Sequence, residues 1–312
     1  MKKILLITTA VLGVFLASSC QKETAEAGDE EVTVNFTVAL PGSDTKALIS
    51  DGLSADIVYW AAFDENGGTI AGMNGSAEVK DKNASFDVVL VKNYTYKFVF
   101  WAQDSDCKAY DLSTFSKDGK IRISYQGDAN DESRDAFYKQ EDVMIQASGE
   151  VRTIRLYRPF AQINFLAADY KSVEEVEVHK SLRSTVSISG LPNVLNGLDG
   201  SVEGDATTEL VAAAVPASPA YFTVNGTQYG WYSMNYILAS SEKDLGLVTA
   251  TFTHDKSDKP VHIAVPNVPY ERNHRTNIIG NFLTGIAEVK VIVMEGFEDP
   301  SYDIDEEGNP IQ

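Results

Sequence analysis

Val32-Thr33-Val34-Asn35-Phe36-Thr37-Val38-Ala39-Leu40 sets an apolar side chain at every second position, with small or polar residues between. Successive side chains of a strand point to opposite faces, so this stretch reads as a β-strand with one buried face. Pro41-Gly42-Ser43-Asp44 then breaks it. The same two-residue period continues outward in Ile57–Phe63, Ser85–Val91, Tyr94–Trp101, Lys120–Tyr125, Val143–Ala147 and Val151–Tyr157. Turn signals separate them, among them Asp64-Glu65-Asn66-Gly67-Gly68, Lys117-Asp118-Gly119 and Ser148-Gly149. A second run covers Phe160–Leu166, Glu175–Lys180, Thr185–Ser189, Ala220–Val224, Met234–Ala239, Leu247–His254, Val261–Val265 and Ala287–Met294. Short strands at this spacing predict an all-β chain of two β-sandwich domains that meet near Tyr157 to Pro159, and not βαβ units. Only Ala168 to Val176 and Val194 to Gly197 invite a helical turn.

The chain start has a different character. Lys2 and Lys3 precede an apolar stretch from Ile4 to Leu16, followed by small residues Ala17, Ser18 and Ser19 and then Cys20. That run has the length of a signal h-region and is too short to span a bilayer core of about 30 Å comfortably. Residues 1–19 therefore read as a signal peptide. The cysteine after small residues resembles the lipobox of bacterial lipoproteins, which implies lipidation at Cys20 and an outer-membrane lipid as its first partner. Two acyl chains give a stable anchor where one does not. Gln21 to Glu31 is acidic and lacks aromatics, so residues 20–31 read as a disordered tether. The remaining division is 32–157 for the first sandwich, 158–300 for the second and 301–312 for an acidic tail.

Composition narrows the function. The 312 residues carry 26 Lys and Arg against 45 Asp and Glu, a net charge of −19. Such a chain repels phosphate backbones and shows no basic patch, so nucleic acid is excluded as a partner. The only cysteine besides Cys20 is Cys107, which predicts a small buried residue and no internal disulfide. His179, His254, His262 and His274 have neither the spacing nor the cysteine companions of a zinc site, although His254 and His262 fall in neighbouring strands. No nucleophile elbow or phosphate loop is present. The expectation is no catalytic residue, no metal site and no cofactor. Asp303-x-Asp305-x-Glu307-Gly308 resembles half a calcium loop but sits in the acidic tail. Tyr229, Trp231, Tyr232 and Tyr236 form an aromatic cluster that reads either as core or as a platform for sugar rings.

Three further stretches together resemble the fimbrillin superfamily of Bacteroidetes, the subunits of type V pili and their lipoprotein relatives. They are Asp44-Thr45-Lys46-Ala47-Leu48-Ile49-Ser50-Asp51-Gly52, Arg158-Pro159-Phe160-Ala161-Gln162-Ile163-Asn164-Phe165, and Arg272-Asn273-His274-Arg275-Thr276-Asn277-Ile278-Ile279-Gly280-Asn281-Phe282-Leu283-Thr284. The resemblance implies transthyretin-like or Greek-key sandwiches in a lipoprotein exposed at the cell outer membrane. It also implies cleavage after the basic residue of the first stretch, which marks Lys46 and Ala47 as a candidate processing point. Pilus subunits of this kind pair by strand exchange and support adhesion, so other subunits and a host or glycan ligand are the implied partners, with the fimbrium as the location once processed. The family's arginine is Lys46 here, and lysine lacks the bidentate fork of arginine. Strand physics supports the same assembly, because a sandwich missing a strand exposes unpaired backbone and an apolar slot that an incoming strand satisfies. Val32 to Leu40 suits the plug, and Ala287, Val289, Val291 and Val293 suit the donor. The alternative reading is a glycan-binding lipoprotein of a polysaccharide-uptake system, carried by Tyr229 to Tyr236.

Overall fold

The computed structural model describes residues 30–41, 51–169, 183–212, 221–254, 257–283, 289–295, 303–304 and 310–311. Its first half forms β1 (Glu31–Ala39), β2 (Ile57–Phe63), β3 (Thr69–Glu78), β4 (Asn83–Val91), β5 (Thr95–Gln103), β6 (Tyr110–Asp111), β7 (Lys120–Ile123), β8 (Gln126–Asp128), β9 (Phe137–Met144) and β10 (Val151–Arg155). The second half adds β11 (Phe160–Ala167), β12 (Arg183–Leu191), β13 (Val194–Asn196), β14 (Val202–Glu203), β15 (Ala206–Ala212), β16 (Tyr221–Val224), β17 (Thr227–Leu238), β18 (Asp244–His254), β19 (Ser257–Tyr270), β20 (His274–Gly280) and β21 (Val289–Glu295). Among the described residues the only α-helix is the single turn Phe115–Asp118, closed by Gly119 in a left-handed conformation. The all-β class is the one the alternation predicts.

Two sheets, β10-β1-β4 and β3-β2-β5-β9, face each other across a core of Val34, Phe36, Val58, Phe98, Phe100 and Ile154. The second sandwich sets β16-β17-β11-β20-β21 against β19-β18-β12-β15-β8, with Phe165, Phe252 and Phe282 packed between them. A small sheet, β14-β13-β7-β6, lies at the junction. β5 explains how the halves join. Its Phe98 and Phe100 enter the first core, while Val99 and Trp101 enter the second. A strand covered on both faces reads as a continuous apolar run, as Phe98 to Ala102 does. The sheets also cross the division at residues 157 and 158, since β7 pairs with β13 and β8 with β15.

Several expectations shift. Val194 to Gly197 is not helical, because Val194 and Leu195 pair with both β7 and β14. The strand expected at Val143–Ala147 starts six residues earlier, where β9 follows β5 in register from Phe137. β3 and β20 carry no apolar alternation and were not expected. β3 is an edge strand with two glycines, and β20 is an interior strand rich in polar residues. The strand expected at Glu175–Lys180 and most of the possible turn at Ala168 to Val176 lie outside the described residues.

Candidate functional site

β1 occupies the centre of its sheet. All nine residues pair antiparallel with β4, and Asn35 to Ala39 also pair in parallel with β10. Neither β4 nor β10 has another partner in that sheet. Further backbone bonds fasten the flanks, from Asn35 N to Glu150 O at 2.9 Å, Leu156 N to Ala39 O at 2.9 Å and Leu40 N to Lys82 O at 2.9 Å. Removing β1 would leave two facing rows of unpaired donors and acceptors with a trench between them.

The inward row of the strand is wholly apolar and buried: Val32, Val34, Phe36, Val38 and Leu40. Each buried side chain of this size stabilises the fold by about 1.5–3 kcal/mol. Phe36 is the centre of the row. Its ring lies 4.7 Å from Phe98, 5.8 Å from Phe100 and 5.8 Å from Phe86, and Phe86 stacks in turn on Trp60 at 5.4 Å. Among the described residues the outward row is attached through Asn35, whose Nδ2 donates to Asp87 Oδ1 at 2.9 Å and to Ser85 Oγ at 3.2 Å. Glu30 adds an exposed ion pair with Lys92 at 2.8 Å.

Where the chain returns after β1 matters for release. Gly52 has φ +74°, and a Cβ there would come within 2.7 Å of the Pro41 carbonyl oxygen and 3.2 Å of Phe137. A residue with a side chain is strained in that conformation. The chain therefore re-enters beside the point where β1 leaves, and residues 42–50 join two neighbouring positions. Lys46 and Ala47 fall in that segment, and they lie outside the described residues, as does Cys20. A cut there would leave β1 attached by noncovalent contacts alone.

The second and third motif stretches meet in the other sandwich. β11 and β20 run parallel, with Gln162 opposite Arg275 and Asn164 opposite Asn277. Asn164 Nδ2 donates to Asn277 Oδ1 at 3.0 Å, and Arg275 Nε to Gln162 Oε1 at 3.0 Å. All four are buried. The guanidinium of Arg275 also faces the Phe222 ring at 5.4 Å. Burial, and then the charge of Arg158, bring its pKa down to about 10. At the head of β11, Arg158 grips Asp135 through two bonds of 2.6 and 2.7 Å, both residues being buried. Burial opposes the charge on Arg158, but the Asp135 carboxylate outweighs it and the net shift is upward. Asp135 escaped the sequence reading because nothing local marks a partner 23 residues away.

β21 holds the edge of its sheet, paired with β20 alone. Trp231, Tyr232 and Tyr236 are buried and Tyr229 is half-buried, so these rings are core and form no surface platform. The register of β18 and β19 sets His262 opposite Thr251 and not opposite His254, and its Nδ1 lies 3.0 Å from Thr251 Oγ1. Among the described residues no group of three potential metal ligands occurs. Cys107 is free and buried, as expected. In the acidic tail Asp303 is in a short strand, while residues 305–309 lie outside the described ones.

No curated protein matches the chain. Among solved structures, a Bacteroides thetaiotaomicron protein described as a candidate polysaccharide-binding protein (DUF1812) is 15% identical, with 88% of this chain and 100% of that chain covered and a TM-score of 0.50. A Bacteroides eggerthii protein described as a candidate cell adhesion protein is 11% identical, with coverages of 87% and 98% and a TM-score of 0.50. The Porphyromonas gingivalis tip fimbrial protein Mfa3, in a C-terminally truncated form, is 10% identical, with coverages of 85% and 100% and a TM-score of 0.48. The first two share this chain's fold of β-sandwiches. A family of unknown function, DUF6562, matches residues 24–312, and the chain belongs to that family.

Proposed function

We propose that this chain is a non-enzymatic cell-surface lipoprotein of the fimbrillin type, a structural or accessory subunit that assembles by strand exchange and supports adhesion. One observation carries the reading. The first strand fills a fully apolar slot, has partners on both sides, and leaves through a segment whose ends lie side by side. A strand with those properties can be replaced without disturbing the rest of the sandwich, which is the physical requirement of β-augmentation between subunits.

In this reading the lipid on Cys20 delivers the chain to the outer membrane with its slot already closed. Cleavage at Lys46-Ala47 then frees the slot, and a strand from another subunit enters it. The lysine suits a protease that accepts a simple cation, and a chain left uncut remains a lipid-held anchor. N-terminal sequencing of surface material from whole cells tests the reading. The expected result is a chain starting near Ala47 within heat-labile ladders. Full-length, lipidated and monomeric material would count against polymer assembly. Glycan binding has support in the description of the Bacteroides thetaiotaomicron structure, but the aromatic cluster that motivated it lies in the core.

A further inference from the structure

The strand-exchange reading leaves open which strand enters the slot. We infer that the slot selects an entering strand with an aromatic side chain at the third of five inward positions, and discriminates against β21 of a second copy of this chain. The inference rests on the exchange reading above.

The observation is the uneven width of the slot. Along β4, the residues opposite the inward row are Leu90, Val88, Phe86 and Ala84, facing Val32, Val34, Phe36 and Val38. Valines fit at the second and fourth places. The third opens into a nest of Phe86, Phe98 and Phe100, with Trp60 behind Phe86. An aliphatic side chain there leaves ring faces without a neighbour, and buried voids are costly because close-packed interiors relax only in part. Just before the aromatic, the outward side chain meets Asp87, which Asn35 now satisfies. An amide or a cation there keeps that exposed bond, whereas a carboxylate would be repelled.

The chain's own β21 does not meet both preferences. Val289, Val291 and Val293 alternate well but bring no aromatic. Inserted in the direction of β1 and centred on Val291, they set Lys290 against Asp87 but force Glu295 into the place of Leu40. Centred on Val289, they bring Glu288 against Asp87. Turned to its other face, the strand would bury Lys290 in the apolar row. β21 is thus a poor key for this lock.

The test uses the full chain with a specific protease site at residues 44–46, cut so that β1 stays seated without a covalent link. Peptides are added in excess and the retained strand is identified by native mass spectrometry. A peptide of residues 31–40 should displace β1. The same peptide carrying Phe36→Val should compete on the order of a hundredfold more weakly. A peptide of residues 287–295 should do no better than that variant. Equal competition by the 287–295 peptide, or by the Phe36→Val peptide, would overturn the selectivity while leaving strand exchange intact. If even the 31–40 peptide fails to displace β1, the exchange reading falls and takes this inference with it. As a second measurement, the intact Phe36→Val chain should unfold at lower denaturant than wild type. An unchanged midpoint would also overturn the need for an aromatic.

Discussion

β1 and β20 are both interior strands of their sheets, and each is flanked on both edges by hydrogen-bonded neighbours. They are held by different means. β1 presents only hydrocarbon to its core, so a strand that repeats its side-chain sizes, the aromatic at Phe36 included, satisfies the slot. β20 turns Thr276 and Ile278 to the face it shares with Phe165, and on its other face carries Arg275 and Asn277, which bond Gln162 and Asn164 of β11 and are buried with them. These bonds form in one register only, and a misplaced strand would add unpaired groups to Asn164 Oδ1 and Asn277 Nδ2, which among the described residues are buried without a hydrogen bond already. The contrast separates a replaceable strand from a permanent one within one chain. It also fits the place of each in the sequence, since β1 can be cut away from the start and β20 cannot.

Mutations can break or sharpen this contrast. The largest effect is expected from Arg158→Ala, which leaves the Asp135 carboxylate buried without its partner. A loss of about 3–5 kcal/mol in urea unfolding is expected, as for other broken buried pairs. Phe36→Ala should follow at about 3 kcal/mol, near the low end for buried aromatics because the partly buried Phe86 can lean into the space. Adding the 31–40 peptide should not rescue the intact Phe36→Ala chain, because its own strand still blocks the slot. Asn277→Leu should cost about 1–2 kcal/mol, since Asn164 Nδ2 keeps only the 3.3 Å bond to Gln162. If Asn277→Leu proved neutral, β20 would be as interchangeable as β1 and the contrast would fail.

The smallest effect concerns the turn beside β1. Glu150 accepts from the backbone N–H groups of Gln146 and Ala147, both at 2.9 Å, and from Arg152 at 2.7 Å. Those bonds, led by Gln146, lower its pKa below the usual carboxylate range. A carboxylate lowered on folding adds stability above its unfolded pKa and loses it as pH falls through the folded value. Glu150→Gln should therefore lower the midpoint slightly at pH 7, leave it nearly unchanged once pH falls below the folded pKa, and so flatten the acid limb of the stability curve. Denaturant midpoints at pH 7 and through the acid range check this.

Legibility in the sequence follows the same contrast. β1, β2 and β11 announce themselves through apolar alternation or an apolar run, because at least one face of each is packed by hydrocarbon, as Ile163 and Phe165 show in β11. β20, with His274-Arg275-Thr276-Asn277 at its start, looks like a loop, since its burial is sustained by partners more than a hundred residues away. β3 was hidden for another reason, its glycines and exposed face giving no signal. Of the candidate site, the plug was readable from its period of two. The parallel pairing with β10, the aromatic nest around Phe36 and the constraint at Gly52 were not, because each depends on residues brought together only by the fold.

If β1 is a separable part of an otherwise intact molecule, hydrogen exchange followed by mass spectrometry will show it on the full chain cut at residues 44–46 and held with excess 31–40 peptide. The original β1 should be replaced by the peptide while amides of β11 and β20 stay as protected as in the uncut chain. Loss of protection in β1, β11 and β20 together, or full retention of the original β1 in the cut chain, would mean that the strand is not separable.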